Sequence, residues 1–203
     1  MGQGSALPMS AAVKGCPASV ERDIVRVIAG KLKGRRLEAP SWPGLRPTSD
    51  KLRETLFNIL GLRVAGRRVL DACAGTGAVG IEALSRGAAH VTFIDRDRRA
   101  VDLIAQNLAR CAVVDGYAIV RADLCDDAAR LRHAMDFDFV FLDPPYDTDT
   151  AVLARAVSDW LAADGLLIIE YARRTGGGAG VEGLQRTREV TSGDSALGFY
   201  VRS

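Results

Sequence analysis

From residue 67 onward, short apolar runs alternate with longer stretches whose apolar residues recur every three or four positions. The first spacing is that of buried strands, the second that of amphipathic helices. Five strands are predicted: Val69 to Ala72, Val91 to Ile94, Tyr117 to Ala122, Phe137 to Leu142 and Leu166 to Glu170. Between them the pattern predicts a helix to Arg86, one over residues 98–110, a short one through Arg132, and one over residues 150–161. Gly87 stops the first helix, and Asp164-Gly165 turns the chain into the fifth strand. Strongly apolar strands separated by helices imply an α/β fold with a parallel sheet covered on both faces. Beyond the glycine-rich residues 175–183, residues 186–191 and 197–202 read as a closing antiparallel hairpin.

Upstream the pattern is different. Residues 26–29 and 35–38 flank a Gly30 to Gly34 turn and predict a small β-hairpin. Residues 39–47 are broken by Pro40, Pro43, Gly44 and Pro47. Thr48, Ser49 or Asp50 can cap a helix that runs to Leu60, with Leu52, Leu56, Ile59 and Leu60 on one face and Gly61 as its stop. Residues 1–21 are rich in Gly, Ala, Ser and Pro and lack an uninterrupted apolar core, so a disordered leader is expected there. Residues 22–61 then form a hairpin-and-helix extension, and residues 62–203 the main domain.

Composition adds two constraints. No apolar run approaches the ~18 residues of a membrane span. The four cysteines form no C-x-x-C pair and have only His90 and His133 to join them, so free thiols in a reducing cytoplasm are expected, with no metal. Charge is uneven. Residues 14–53 hold ten basic residues against four acids, a net of +6, although the whole chain carries only +2. A basic appendage on a mildly acidic body suits an anionic partner gripped from one end; a solvated basic face is the other reading.

The first strand runs into Asp71-Ala72-Cys73-Ala74-Gly75-Thr76-Gly77-Ala78-Val79-Gly80. Gly75, Gly77 and Gly80 satisfy G-x-G-x-x-G, and Asp95 lies twenty residues past Gly75, which fits a dinucleotide fingerprint. Asp71 argues otherwise. A carboxylate beside the bound ligand repels a pyrophosphate docking on the helix N-terminus and welcomes an ammonium group. S-adenosylmethionine has that amino-acid tail and no phosphate. Asp95 can accept from the ribose hydroxyls, and Asp123, ending the third strand, from the adenine amine. A solvated loop acid is the alternative for Asp123.

The fourth strand ends at Asp143-Pro144-Pro145-Tyr146. Proline cannot donate to a sheet ladder and restricts its predecessor, so the strand stops there in a stiff turn. Asp143 and the Pro144 carbonyl can accept the protons of a base amine, aiming its lone pair at a methyl donor, while Tyr146 stacks on the ring. Such a base must be unpaired or flipped out.

Asp71-x-x-x-Gly75-x-Gly77 with Asp143-Pro144-Pro145-Tyr146 resembles a class I amino-methyltransferase. Arg46-Pro47-Thr48-Ser49-Asp50-Lys51-Leu52-Arg53-Glu54-Thr55-Leu56-Phe57-Asn58, together with Glu82 to Ala88 and the basic hairpin, resembles the bacterial RsmD family. The resemblance implies a Rossmann-like, mostly parallel seven-stranded sheet with an antiparallel C-terminal hairpin. It implies S-adenosylmethionine-dependent methylation of N2 of a guanine in 16S ribosomal RNA, presented by an assembling 30S particle to a cytoplasmic, monomeric enzyme. Lys31, Lys33, Arg35 and Arg36 in the hairpin, with Arg46 and Arg53, are the expected RNA contacts; an ion pair with Asp50 or Glu54 is the alternative for Arg46 and Arg53. The Asp-Pro-Pro-Tyr motif is shared with adenine-N6 methyltransferases, and a non-catalytic ribosome assembly factor is the rival from another class.

Overall fold

The computed structural model describes residues 25–40, 42, 49–131, 136–144, 148–175 and 181–203. The expected leader, Arg46, Pro145, Tyr146 and most of the glycine-rich stretch lie outside these residues. Among the described residues, seven strands form one sheet: β1 (Arg68–Ala72), β2 (His90–Asp95), β3 (Tyr117–Arg121), β4 (Phe137–Leu142), β5 (Leu161–Ala172), β6 (Leu184–Ser192) and β7 (Ser195–Arg202). The helices are α1 (Asp50–Leu60), α2 (Ala78–Ser85), α3 (Arg98–Arg110), α4 (Leu124–Leu131) and α5 (Thr150–Ser158). The strand order is β3-β2-β1-β4-β5-β7-β6, parallel through β5 and antiparallel in the last two pairings.

Alternation along the strands divides the interior in two. Val69, Phe93, Phe139, Phe141 and Ile168 face a core shared with α1, α2 and α3. Leu70, Ala72, Ile94, Val140, Leu142, Leu167 and Ile169 face a core shared with α4 and α5. From β1 the chain builds outward through β2 and β3, then returns to the other flank of β1 with β4. The connections therefore part between the carboxyl ends of β1 and β4, the crevice where open α/β sheets bind ligands.

Ser49 caps α1, its hydroxyl accepting from the Leu52 N–H at 3.2 Å, as the sequence pattern allowed. Three features depart most from expectation. β5 begins at Leu161, because pairing with β4 resumes on both sides of the Asp164-Gly165 turn as an irregularity in register. α5 accordingly ends at Ser158. Among the described residues of the N-terminal hairpin only Arg26 and Arg36 form a ladder bridge, with further backbone bonds from Val27, Gly34 and Leu37. α2 holds this hairpin in addition to its own backbone bonds.

That docking is specific. Glu82, fully buried, accepts from the N–H groups of Ile28 at 2.7 Å and Ala29 at 3.0 Å, and from Arg86 Nε at 2.7 Å. Ser85 accepts from Leu32 N–H through its hydroxyl and from Lys31 N–H through its carbonyl. A Cβ on Gly30 would lie 1.9 Å from the Ser85 carbonyl oxygen, so only glycine permits this approach. Val25, Val27 and Leu37 join the same core as α1 and α2.

Candidate active site

In β1, Leu70 and Ala72 point to the α4/α5 side, so Asp71 points to the α1/α2/α3 side. Asp71 is level with Phe93 of β2 and Phe141 of β4. Asp95 and Asp143 stand two residues beyond those partners and share their face. Three carboxylates thus line one face at the carboxyl edge of three adjacent strands. Cys73, in the left-handed region at φ 63°, marks where they meet. Burial raises its thiol pKa, and the carboxylates of Asp95, Asp143 and Asp71 raise it further.

Asp71 is only 2% exposed, and its Oδ2 accepts from the Gly80 N–H at 2.8 Å. Burial pushes its pKa up to about 8, with Asp95 adding to the rise and the Gly80 bond and Arg53 opposing it. The carboxylate therefore occupies an N–H in the first turn of α2 that a pyrophosphate would require. Asp95 Oδ2 accepts from Gly75 N–H and Oδ1 from Asp97 N–H, both at 2.9 Å; burial, first among the causes, raises its pKa. Gly75 and Gly77 have φ of 55° and 74°, as the turn requires. Gly80 serves packing: a Cβ there would sit 2.2 Å from the Phe93 ring.

Asp143 is half-buried, and its N–H donates to the Ala72 carbonyl at 3.4 Å, which keeps it beside β1. Pro144 is buried. Asp123 follows β3 and acts as a cap on α4, accepting from Cys125 N–H at 2.9 Å, with Arg96 Nη1 at 3.4 Å. Lys31, Lys33, Arg35 and Arg36 are exposed on the docked hairpin.

Arg53 requires a correction. Its side chain is 0% exposed, and Nη2 donates to the Arg26 carbonyl at 2.5 Å and to Asp50 at 2.9 Å. A guanidinium with no exposed surface cannot meet an RNA phosphate; the ion pair with Asp50 is what forms. Among the described residues its Nε and Nη1 have no hydrogen-bond partner, and it lies within electrostatic reach of Asp71.

Several residues escaped sequence reasoning. Asn107, fully buried, accepts from Glu38 N–H at 2.7 Å and donates to the carbonyls of Thr76 at 2.9 Å and Glu38 at 3.2 Å. It thereby ties the segment after the hairpin to the glycine turn. Farther along, Trp42 takes the Arg99 guanidinium 5.0 Å from its ring centroid. Glu82 had a legible signal, being the one charged residue in an otherwise apolar helix. Glu170, 7% exposed, lies near the carboxyl end of β5.

The β3-β2-β1-β4-β5-β7-β6 order, the glycine turn after β1 and the acids at the switch point define a class I methyltransferase fold. The family model described as Conserved hypothetical protein 95 matches residues 25–201. The chain belongs to that family, the RsmD family. It is 36% identical over 184 residues to YlbH of Bacillus subtilis, covering 87% of this chain and 98% of that one. It is 34% identical over 181 residues to ribosomal RNA small subunit methyltransferase D of Escherichia coli K12, covering 88% and 90%. Among solved structures, yhhF from Escherichia coli superposes with a TM-score of 0.75 at 30% identity, covering 89% of this chain and 98% of that one.

Proposed function

We propose that the chain transfers a methyl group from S-adenosylmethionine to the exocyclic N2 amine of a guanine in 16S ribosomal RNA, presented by an assembling 30S particle. The observation that carries this reading is the convergence of Asp71, Asp95 and Asp143 on one face around Cys73. The small-subunit RNA named for the Escherichia coli relative supports the substrate.

The residues fit the proposed donor. Buried Asp71 is an acid whose charge is opposite to that of the ammonium of an amino-acid tail. Asp95 at the next strand tip is the acceptor for ribose hydroxyls, and Asp123 for the adenine amine. Bound there, S-adenosylmethionine supplies an electrophilic methyl on a sulfonium.

At the β4 tip, Asp143 and the Pro144 carbonyl accept the two amine protons of the base. An exocyclic amine is a poor nucleophile because its lone pair is delocalised into the ring; two acceptors favour a pyramidal nitrogen and stabilise the positive charge that develops on it. Tyr146, the residue that would stack on the base, and Pro145 complete the motif. Lys31, Lys33, Arg35 and Arg36, with Arg46, neutralise RNA phosphates.

Incubation with small-subunit particles and labelled S-adenosylmethionine, followed by nucleoside mass spectrometry, tests the reading. N2-methylguanine is the expected product. N6-methyladenine would assign the same pocket to the other base.

A further inference from the structure

The carboxyl edge of the sheet is acidic: Asp71, Asp95 and Asp143 stand on it, and Asp97 and Asp123 follow β2 and β3. A polynucleotide carries a negative charge on every phosphate, so it approaches such a mouth where cations on the rim offset the acids. On the β2/β3 side the rim cations are engaged within the protein. Arg96 reaches Asp123 at 3.4 Å, Arg98 reaches Asp102 at 3.8 Å and Arg99 reaches Asp97 at 2.6 Å. Arg121 Nε donates to the Arg96 carbonyl at 3.3 Å.

The β5 side differs. β5 runs to Ala172 and passes directly into a single 3-10 turn, Arg173–Thr175. The Arg173 N–H donates to the Asp194 carbonyl at 2.8 Å, which pins this turn to the connection between β6 and β7. Arg173 and Arg174 are both exposed, and among the described residues neither guanidinium forms an ion pair. β4 and β5 pair with Leu142 level with Ile169, so Arg173 begins three residues beyond the level of Asp143 on the neighbouring strand. At about 3.3 Å per residue that is roughly 10 Å farther out from the sheet.

The electrostatics of the mouth are therefore one-sided. Cations matched to carboxylates border the tips of β2 and β3, where a phosphate-free nucleoside needs no others. Cations without a carboxylate border the tip of β4, where the base is assigned. We propose that Arg173 and Arg174 clamp the phosphates of the RNA strand next to the target base, so that the strand leaves the pocket over the end of β5 and not over β2 and β3. This rests on the reading of the site as an RNA base methyltransferase. Such contacts fix the register and direction of the strand without reading its sequence.

The test compares charge reversals on opposite sides of the mouth: Arg173→Glu/Arg174→Glu, and Arg98→Glu, whose side chain is 77% exposed. Methylation of small-subunit particles lacking the modification is followed at several salt concentrations, with calorimetry for S-adenosylmethionine. Arg173→Glu/Arg174→Glu is expected to raise KM for the particle at least about tenfold, with kcat and cofactor affinity within about threefold of wild type. Its kcat/KM should depend less steeply on salt, by about 1.4 in log–log slope, two single-strand phosphates at about 0.7 each. Arg173→Lys/Arg174→Lys, which keeps both charges, should retain the wild-type slope. Arg98→Glu is expected to leave KM within about twofold of wild type.

A wild-type KM and slope in Arg173→Glu/Arg174→Glu would overturn the proposal. So would an Arg98→Glu protein weakened as much as that variant, because charge would then act at a distance and not through a contact beside β5. Wild-type protein that methylates no base in the particles would remove the reading of the site itself, and the clamp with it.

Discussion

The Gly80 N–H donates to Asp71 Oδ2 at 2.8 Å, tying the tip of β1 to the first turn of α2 beneath the ligand crevice. One hydrogen bond does not offset the burial of that carboxylate, and its pKa rises to about 8. The acid is then largely protonated at neutral pH until a cation arrives.

The pH dependence follows with a definite sign. A raised folded-state pKa means that protonated Asp71 favours the fold below its ordinary value of 3.8, and that this advantage is lost as pH rises toward about 8. The melting temperature of the unliganded wild type should therefore fall relative to Asp71→Asn between pH 5 and 8 on the order of several degrees. Thermal denaturation of both proteins across that range measures the difference. S-adenosylmethionine should bind the wild type more weakly as pH drops below about 8, because a proton must leave Asp71 first; calorimetry in buffers of different ionisation enthalpy should register its release.

Asp143→Ala should lower kcat by at least about 100-fold while leaving cofactor affinity within a few-fold of wild type, because it removes an acceptor for the base amine and not for the cofactor tail. Single-turnover methylation beside calorimetry separates the two effects. Unchanged turnover would take Asp143 out of its role.

Glu82→Ala should unlatch the hairpin. It leaves the Ile28 and Ala29 N–H groups and the Arg86 guanidinium without their buried acceptor, a loss of about 3–5 kcal/mol. Denaturant titration should show this as a lower midpoint, and hydrogen exchange should show faster amides at Ile28, Ala29 and Leu32. Gly30→Ala should produce the same exchange pattern by collision with the Ser85 carbonyl.

Charge reversal at Lys31, Lys33, Arg35 and Arg36 should weaken RNA binding and flatten its dependence on salt, by about 0.7 in log–log slope for each single-strand phosphate that is no longer neutralised. Filter binding at several salt concentrations measures it. Lys31, Lys33, Arg35 and Arg36 are exposed, so the fold should survive. Affinity equal to that of the wild type would show that the hairpin does not grip RNA.

Much of this molecule was legible along the chain because its signals are local. Short apolar runs and period-3.6 apolar spacing located β1 to β5 and α1 to α5, and the prolines and glycines marked where several of them end. The acids at the tips of β1, β2 and β4 were visible for the same reason, each closing an apolar run. The strand register was not. Arg53 reads as one more cation in a basic block, and only packing turns it inward onto the Arg26 carbonyl and Asp50. The hairpin is legible as two short strands around a turn, yet the Ile28, Ala29 and Leu32 N–H groups are taken up by Glu82 and Ser85, more than fifty residues away. Local spacing was enough to establish which elements exist and which chemistries they carry. Which side chains share a face was decided in the assembled sheet, because pairing between distant strands leaves no periodic trace in any single strand.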